Sequence, residues 1–283
     1  MKNLITRSIT GIIFVAAIVT CFLRPEDMLF LFAIVTGLTV WEFCGLVNEH
    51  VAAVSVNRFI CTVSGVYLFL AMGGYVSGIT PSSGVFIPYL LTVVYLFVSE
   101  LYLKQENPIH DWAYTMLSQM YIALPFSMIP VLAFNGDAEG KVYFNTLLPL
   151  SVFIFLWVSD TGAYCVGSLL GRHKLFPRIS PGKTWEGSLG GGLFVLIAAV
   201  LLWHFAGTSG PGGWQWWQWV GLGVVVCVFG TWGDLVESLF KRTIGIKDSG
   251  SILPGHGGML DRFDSSLMAF PAAVVYVYSL TLL

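Results

Sequence analysis

Asp234, Ser238 and Lys241 follow one another at intervals of four and three residues, so a helix would carry all three on one face, with Glu237 beside them. The stretch adjoins an apolar run, where an ionisable side chain is costly and points to a functional site. A helix end whose charges simply reach water would give the same pattern. The residues downstream weigh on that choice. Lys247-Asp248-Ser249-Gly250 leads to Leu253-Pro254-Gly255-His256-Gly257-Gly258 and then to Asp261-Arg262-Phe263-Asp264. Glycines on both sides of His256 allow successive backbone N–H groups to turn inward around an anion. A helix starting just behind would add its N-terminal dipole. Carboxylates approach a polyphosphate only with a cation between them. Asp234 and Asp261 therefore read as ligands for Mg²⁺, and Asp264 as either a third ligand or the N-cap of the next helix. Lys241, Arg242, Lys247 and Arg262 would neutralise the remaining phosphate charge. Zinc is disfavoured, because no second His or Cys stands at ligand spacing from His256. No Ser or Cys has a base partner at motif level, so nucleophilic catalysis is disfavoured too.

These residues must be positioned by elements suited to lipid. Hydrophobic residues make up 56% of the 283-residue chain and charged residues 11%, too much apolar surface for a soluble core to hide. The five cysteines lie in apolar runs without a CxxC pair and read as packing residues. Nine apolar runs are long enough to cross a bilayer: Leu4–Leu23, Met28–Val47, Phe59–Val76, Val85–Leu103, Ala113–Phe134, Leu147–Leu170, Ser188–Ala206, Gln218–Phe240 and Ser265–Leu283. The first could also be a signal peptide, but the runs that follow favour a retained span. Pro125 and Pro130 should bend the fifth. The expected fold is an all-α polytopic transmembrane bundle with a cytoplasmic N-terminus. That orientation puts twelve basic residues on the inner side and leaves only Arg24 and Lys141 outside. Trp214 to Trp219 then fall at the outer interface as an aromatic anchor. The organisation expected is 1–146 as N-terminal helices and 147–283 as a catalytic region, with inner loops at 171–187 and 233–264.

The segment from Ser238 to Asp264 resembles the signature of the phosphatidate cytidylyltransferase (CDP-diacylglycerol synthase) family. The matching elements are Ser238, Lys241-Arg242, Lys247-Asp248, His256-Gly257-Gly258, Asp261-Arg262 and Asp264. Two upstream segments are similar to further motifs of that family: Asp160-Thr161-Gly162-Ala163-Tyr164 with Gly167 and Gly171, and Ser180-Pro181-Gly182-Lys183-Thr184-Trp185-Glu186-Gly187. The first five spans match only as generic hydrophobic helices. The resemblance implies transfer of a cytidylyl group from CTP to phosphatidic acid, in the inner cell membrane with the site on the cytoplasmic side.

Together with the residue chemistry, it gives Lys241, Arg242, Lys247, Asp248, His256 and Arg262 as the expected catalytic set. Asp160, Ser180, Lys183, Ser238, Gly257 and Gly258 are the expected substrate-binding set. Asp234, Asp261 and Asp264 are the expected holders of Mg²⁺, with room for a second cation. Several positions keep two readings. Lys183 closes over phosphates or anchors the inner loop. Asp160 completes the nucleotide site or lines a groove for the lipid head. Glu42, alone in the second run, makes a structural hydrogen bond or serves function. Gly167 and Gly171 more readily permit close helix packing than touch substrate. The bilayer is the expected surrounding, nucleic acid is not an expected partner, and the oligomeric state stays open, a homodimer included.

Rival classes fit less well. The aspartate run of CDP-alcohol phosphatidyltransferases is missing, polyprenol kinases would lack the full signature ending in Asp264, and a transporter would place charge at midplane in two related halves.

Overall fold

The structure, a computed structural model, describes residues 2–136, 139–206, 213–252 and 257–280, with side chains except at residues 2–8 and Ala206. Its contacts divide the chain into two compact units, Met1–Phe144 with Thr243–Phe263, and Asn145–Arg242 with Asp264–Leu283.

The first unit contains α1 (Lys2–Cys21), α2 (Pro25–His50), α3 (Arg58–Val76), α4 (Ile87–Leu103), α5 (Pro108–Ser118) and α6 (Leu124–Ala133). Prolines Pro25 and Pro108 stand at helix starts, where a missing N–H costs nothing. Asn57 and Asn107 cap α3 and α5 by accepting from Ile60 N and His110 N. The bend expected around Pro125 takes the form of a π turn at Gln119–Ala123, in which Leu124 N–H reaches back to Gln119 O. A short hairpin follows, β1 (Phe134–Gly136) and β2 (Val142–Phe144), paired antiparallel. The core is aromatic. Phe32 and Phe126 both pack against Phe263, with centroids 6.2 and 5.4 Å away. Phe263 belongs to the first turn of α10 (Leu260–Leu280), so these rings anchor the helix start that carries Asp261.

The second unit contains α7 (Leu147–Leu170), a hairpin of β3 (Lys174–Phe176) and β4 (Ser180–Thr184), α8 (Trp185–Ala206), α9 (Trp216–Thr243, up to Arg242) and the rest of α10. Glycines let α7 and α8 approach backbone to backbone. A Cβ on Gly162 would sit 2.8 Å from Phe194, and one on Gly191 would sit 2.7 Å from Ser159 O. Small residues at such crossings replace the hydrophobic drive that lipid removes. On α9, a Cβ on Gly233 would lie 2.7 Å from Asp264 O, so α9 and α10 touch there.

Among the described residues, eight helices are long and apolar enough to cross a membrane; in α1 the apolar stretch is the shorter Ile9–Cys21. In α4 only Leu96 is buried, and the helix exposes Ile87, Leu90, Leu91, Val94 and Leu101. A face of that kind is tolerated by lipid rather than by water.

The expected helical class stands, with two short hairpins added to the helices. Three expectations change. Helix α10 begins at Leu260 rather than near Ser265, so Asp264 lies inside the helix and is not its N-cap. The tryptophan segment divides: Trp214 and Trp219 are buried, 5.2 Å apart, with Trp214 also against Tyr276, while Trp216 and Trp217 stay exposed. Four cysteines are buried as packing residues, but Cys165 is exposed.

Candidate active site

In the second unit, the helical face read from the sequence is present on α9. Ser238 Oγ donates to Asp234 Oδ1 at 3.2 Å, one turn away. The other oxygen, Asp234 Oδ2, pairs with Lys183 Nζ at 2.6 Å. These side chains are 29% and 25% exposed, open enough to exchange partners. Lys241 Nζ pairs at 2.6 Å with Glu237, whose side chain is fully buried. A buried carboxylate needs such a partner. Asp264, half-buried on α10, lies within electrostatic reach of Asp234, Asp160 and Lys241. The helix contact at Gly233 is what brings α10 that close.

Lys183 reaches Asp234 because the 171–187 loop is ordered by its own contacts. The strands pair Lys174 with Thr184 and Phe176 with Ser180, with an irregularity between them. Glu186, in the first turn of α8, accepts from the backbone N–H groups of Arg172 and His173 and meets His173 Nδ1 at 2.5 Å. It ties the start of the hairpin to the helix that follows. Thr184 Oγ1 accepts from Gly187 N at 3.1 Å and so caps α8. Gly171 has no room for a side chain, since a Cβ there would strike Gly167 O and Thr184. The close helix packing expected of the pair is found at Gly167, where a Cβ would lie 3.4 Å from Gly187 Cα on α8, whereas Gly171, the C-cap of α7, abuts the end of β4. Gly167 does more, because it also lines a cavity.

That cavity, about 440 Å³, is lined among others by Asp160, Tyr164, Ser168, Lys183, Ser188 and Thr231. Its walls are α7, α8, the end of β4 and α9. Ser180 is half-buried at the strand start and is not part of the lining. Arg242 is exposed on the last turn of α9.

The motif residues of the first unit are built differently. Asp261 Oδ2 accepts from Ser249 N at 2.8 Å and from Gly258 N at 2.9 Å, closing the neck of a loop. Gly257 has φ +83°, a conformation natural to glycine. Lys247, Asp248 and Arg262 are exposed around this neck. His256 lies outside the described residues. Asp234 and Asp264 thus belong to one unit and Asp261 to the other.

Among the described residues, no three His, Cys, Asp or Glu side chains form a ready metal cage. Magnesium does not require one. It is commonly held by one or two carboxylates together with water and substrate phosphates. Asp234 and Asp264, with Asp160 within range, are hard oxygen donors of that kind, and they fit the ion.

The sequence profile of the cytidylyltransferase family matches residues 5–280. The chain belongs to that family. Similar proteins include the phosphatidate cytidylyltransferase of Staphylococcus aureus, 34% identical over 269 residues, which covers 94% of this chain and 95% of the relative. That of Staphylococcus haemolyticus is 33% identical over 268 residues, with 94% and 95% covered. That of Staphylococcus saprophyticus is 40% identical over 168 residues, covering 59% of this chain and 60% of the relative.

Within this cytidylyltransferase, several residues that order the site were not singled out from sequence. Glu186 and Thr184 stand in a motif but act on the backbone. Ser249 sits between conspicuous charged neighbours. Glu237 had a readable signal, an acid four residues before Lys241 on the same helix. Glu42, treated in sequence as an isolated carboxylate, is bound to the motif loop of its own unit.

Proposed function

We propose that this chain transfers the cytidylyl group of CTP to phosphatidic acid, yielding CDP-diacylglycerol and pyrophosphate. The observation that carries the reading is family membership across nearly the whole chain, with phosphatidate cytidylyltransferases as its relatives over 94% of its length. The chemistry suits the residues. A phosphate oxygen of the lipid attacks the α-phosphorus of CTP; the new P–O bond forms as the bond to the β-phosphate oxygen breaks. That oxygen of phosphatidic acid is already anionic near neutral pH, so no general base has to be found. The task is to bring two polyanions into line and neutralise them.

Lys183, which lines the cavity, is the group best placed for the second duty. It is held by Asp234 in the structure, and arriving phosphate would compete for it. Asp160, Ser238, Lys241, Arg242, Lys247, Asp248, His256, Gly257, Gly258 and Arg262 are proposed to surround the phosphates. Ser180 supports the strand that presents Lys183. Mg²⁺, held by Asp234 and Asp264, would supply charge stabilisation for the leaving pyrophosphate. The motif assigns Asp261 to the same duty. The proposed topology has nine spans and a cytoplasmic N-terminus, supported by the basic-residue asymmetry, with the site on the cytoplasmic face of the inner membrane.

The test is an assay of the detergent-solubilised full chain with radiolabelled CTP and phosphatidic acid. Label entering the organic phase supports the reading, and no lipid-soluble cytidine product rejects it.

A further inference from the structure

Glu42 lies in the middle of α2, more than two hundred residues from the loop it holds. Its side chain is only 7% exposed. Glu42 Oε1 accepts from Ser249 Oγ at 2.5 Å and from Leu260 N at 3.0 Å, and Oε2 accepts from Met259 N at 2.9 Å. The last two are orphan amides at the start of α10, where Met259 has no polar side chain to cap them. The carboxylate of one helix thus caps another, and the positive end of the α10 dipole favours it there. Ser249 links this group to Asp261: its Oγ accepts from Asp261 N at 3.3 Å, and its own N–H donates to Asp261 Oδ2. The packing is tight enough to exclude side chains, since a Cβ on Gly258 would collide with both Glu42 and Ser249.

We infer that Glu42 is a positioning residue for the reaction, acting through Ser249 to fix Asp261 and the neck of the motif loop. The inference rests on the function proposed above. Burial of a carboxylate at this place has a cost that three hydrogen bonds offset. The arrangement fixes both ends of the 249–261 segment to α2, so the exposed Arg262 and the left-handed Gly257 start from a set backbone.

The test uses the full chain in detergent with two variants, Glu42→Gln and Ser249→Ala. The amide of Gln cannot accept all three bonds and turns an N–H toward backbone donors. In Glu42→Gln, amide exchange at Met259 and Leu260 should accelerate by about tenfold or more while α3 stays protected. The turnover number should fall by about tenfold or more, as for the loss of a supporting shell. Ser249→Ala should move both readouts in the same direction by a smaller factor. Turnover within about twofold of wild type in a folded variant whose loop exchange has risen overturns the inference. Unchanged exchange at Met259 and Leu260 overturns it as well. If Glu42→Gln does not fold, Ser249→Ala decides by the same two criteria. A wild-type protein that makes no lipid-soluble product would reject the proposed function instead, and the exchange measurement would still report on the loop.

Discussion

The two units use carboxylates in opposite ways. In the second, Asp234 is about a quarter exposed and is paired with a flexible lysine at the edge of a cavity. In the first, Glu42 and Asp261 are bound by backbone N–H groups and a serine, with Glu42 almost wholly buried. The lysine can exchange its carboxylate partner for a phosphate at little cost, because it keeps a salt link in both states. A set of backbone amides cannot be exchanged without undoing a helix start. The difference separates Asp234, suited to handling a substrate, from Glu42, suited to holding the frame, with Asp261 fixed in place by the loop it closes.

The comparison can be broken from its strongest side first. Asp234→Asn should remove turnover by on the order of 1000-fold with the thermal midpoint in detergent unchanged. Near-normal activity would remove Asp234 from the chemistry. Asp261→Asn should also abolish turnover. Asp261→Ala should in addition speed amide exchange at Ser249 and Gly258, a change Asp234→Asn should not produce. Lys183→Ala follows, with kcat/KM for CTP lower by about 100-fold; an unchanged value would return Lys183 to the role of loop anchor. The smallest effects lie in the scaffold. Gly191→Ala places a Cβ against Ser159 O and should destabilise by about 1–3 kcal/mol. Gly192→Ala meets nothing within 4 Å and should be neutral or stabilising by up to about 1 kcal/mol. Thermal unfolding of the pair measures whether the α7–α8 crossing is as close as described.

The helices were legible because lipid demands about 20 apolar residues in a row, and the α7 boundaries fall where the hydropathy places them. The Asp234–Ser238 face was legible because helical periodicity is local. The β3–β4 hairpin was not. Ser180-Pro181-Gly182-Lys183-Thr184 has the composition of a loop, and its pairing is set by Glu186 and by the packing of glycines. The start of α10 was misplaced because Asp261 and Arg262 interrupt the apolar pattern although the helix continues through them. The partners of Glu42 were beyond reach for another reason. A contact spanning more than two hundred residues leaves no periodic trace, and an acid in an apolar run shows only that some partner must exist. Trp214 and Trp219 show the same limit, since composition marks them as interfacial rings and only the fold reveals their packing on one another and that of Trp214 on Tyr276.

Cation-assisted transfer between two phosphates is the claim on which the site rests. Its most direct measurement is pyrophosphate release by the purified wild-type chain, supplied with CTP and phosphatidic acid, as Mg²⁺ is chelated and then restored. The account predicts release that stops on chelation, returns with Mg²⁺ and matches the lipid-bound cytidine mole for mole. Release that continues at the same rate without any divalent cation would contradict it.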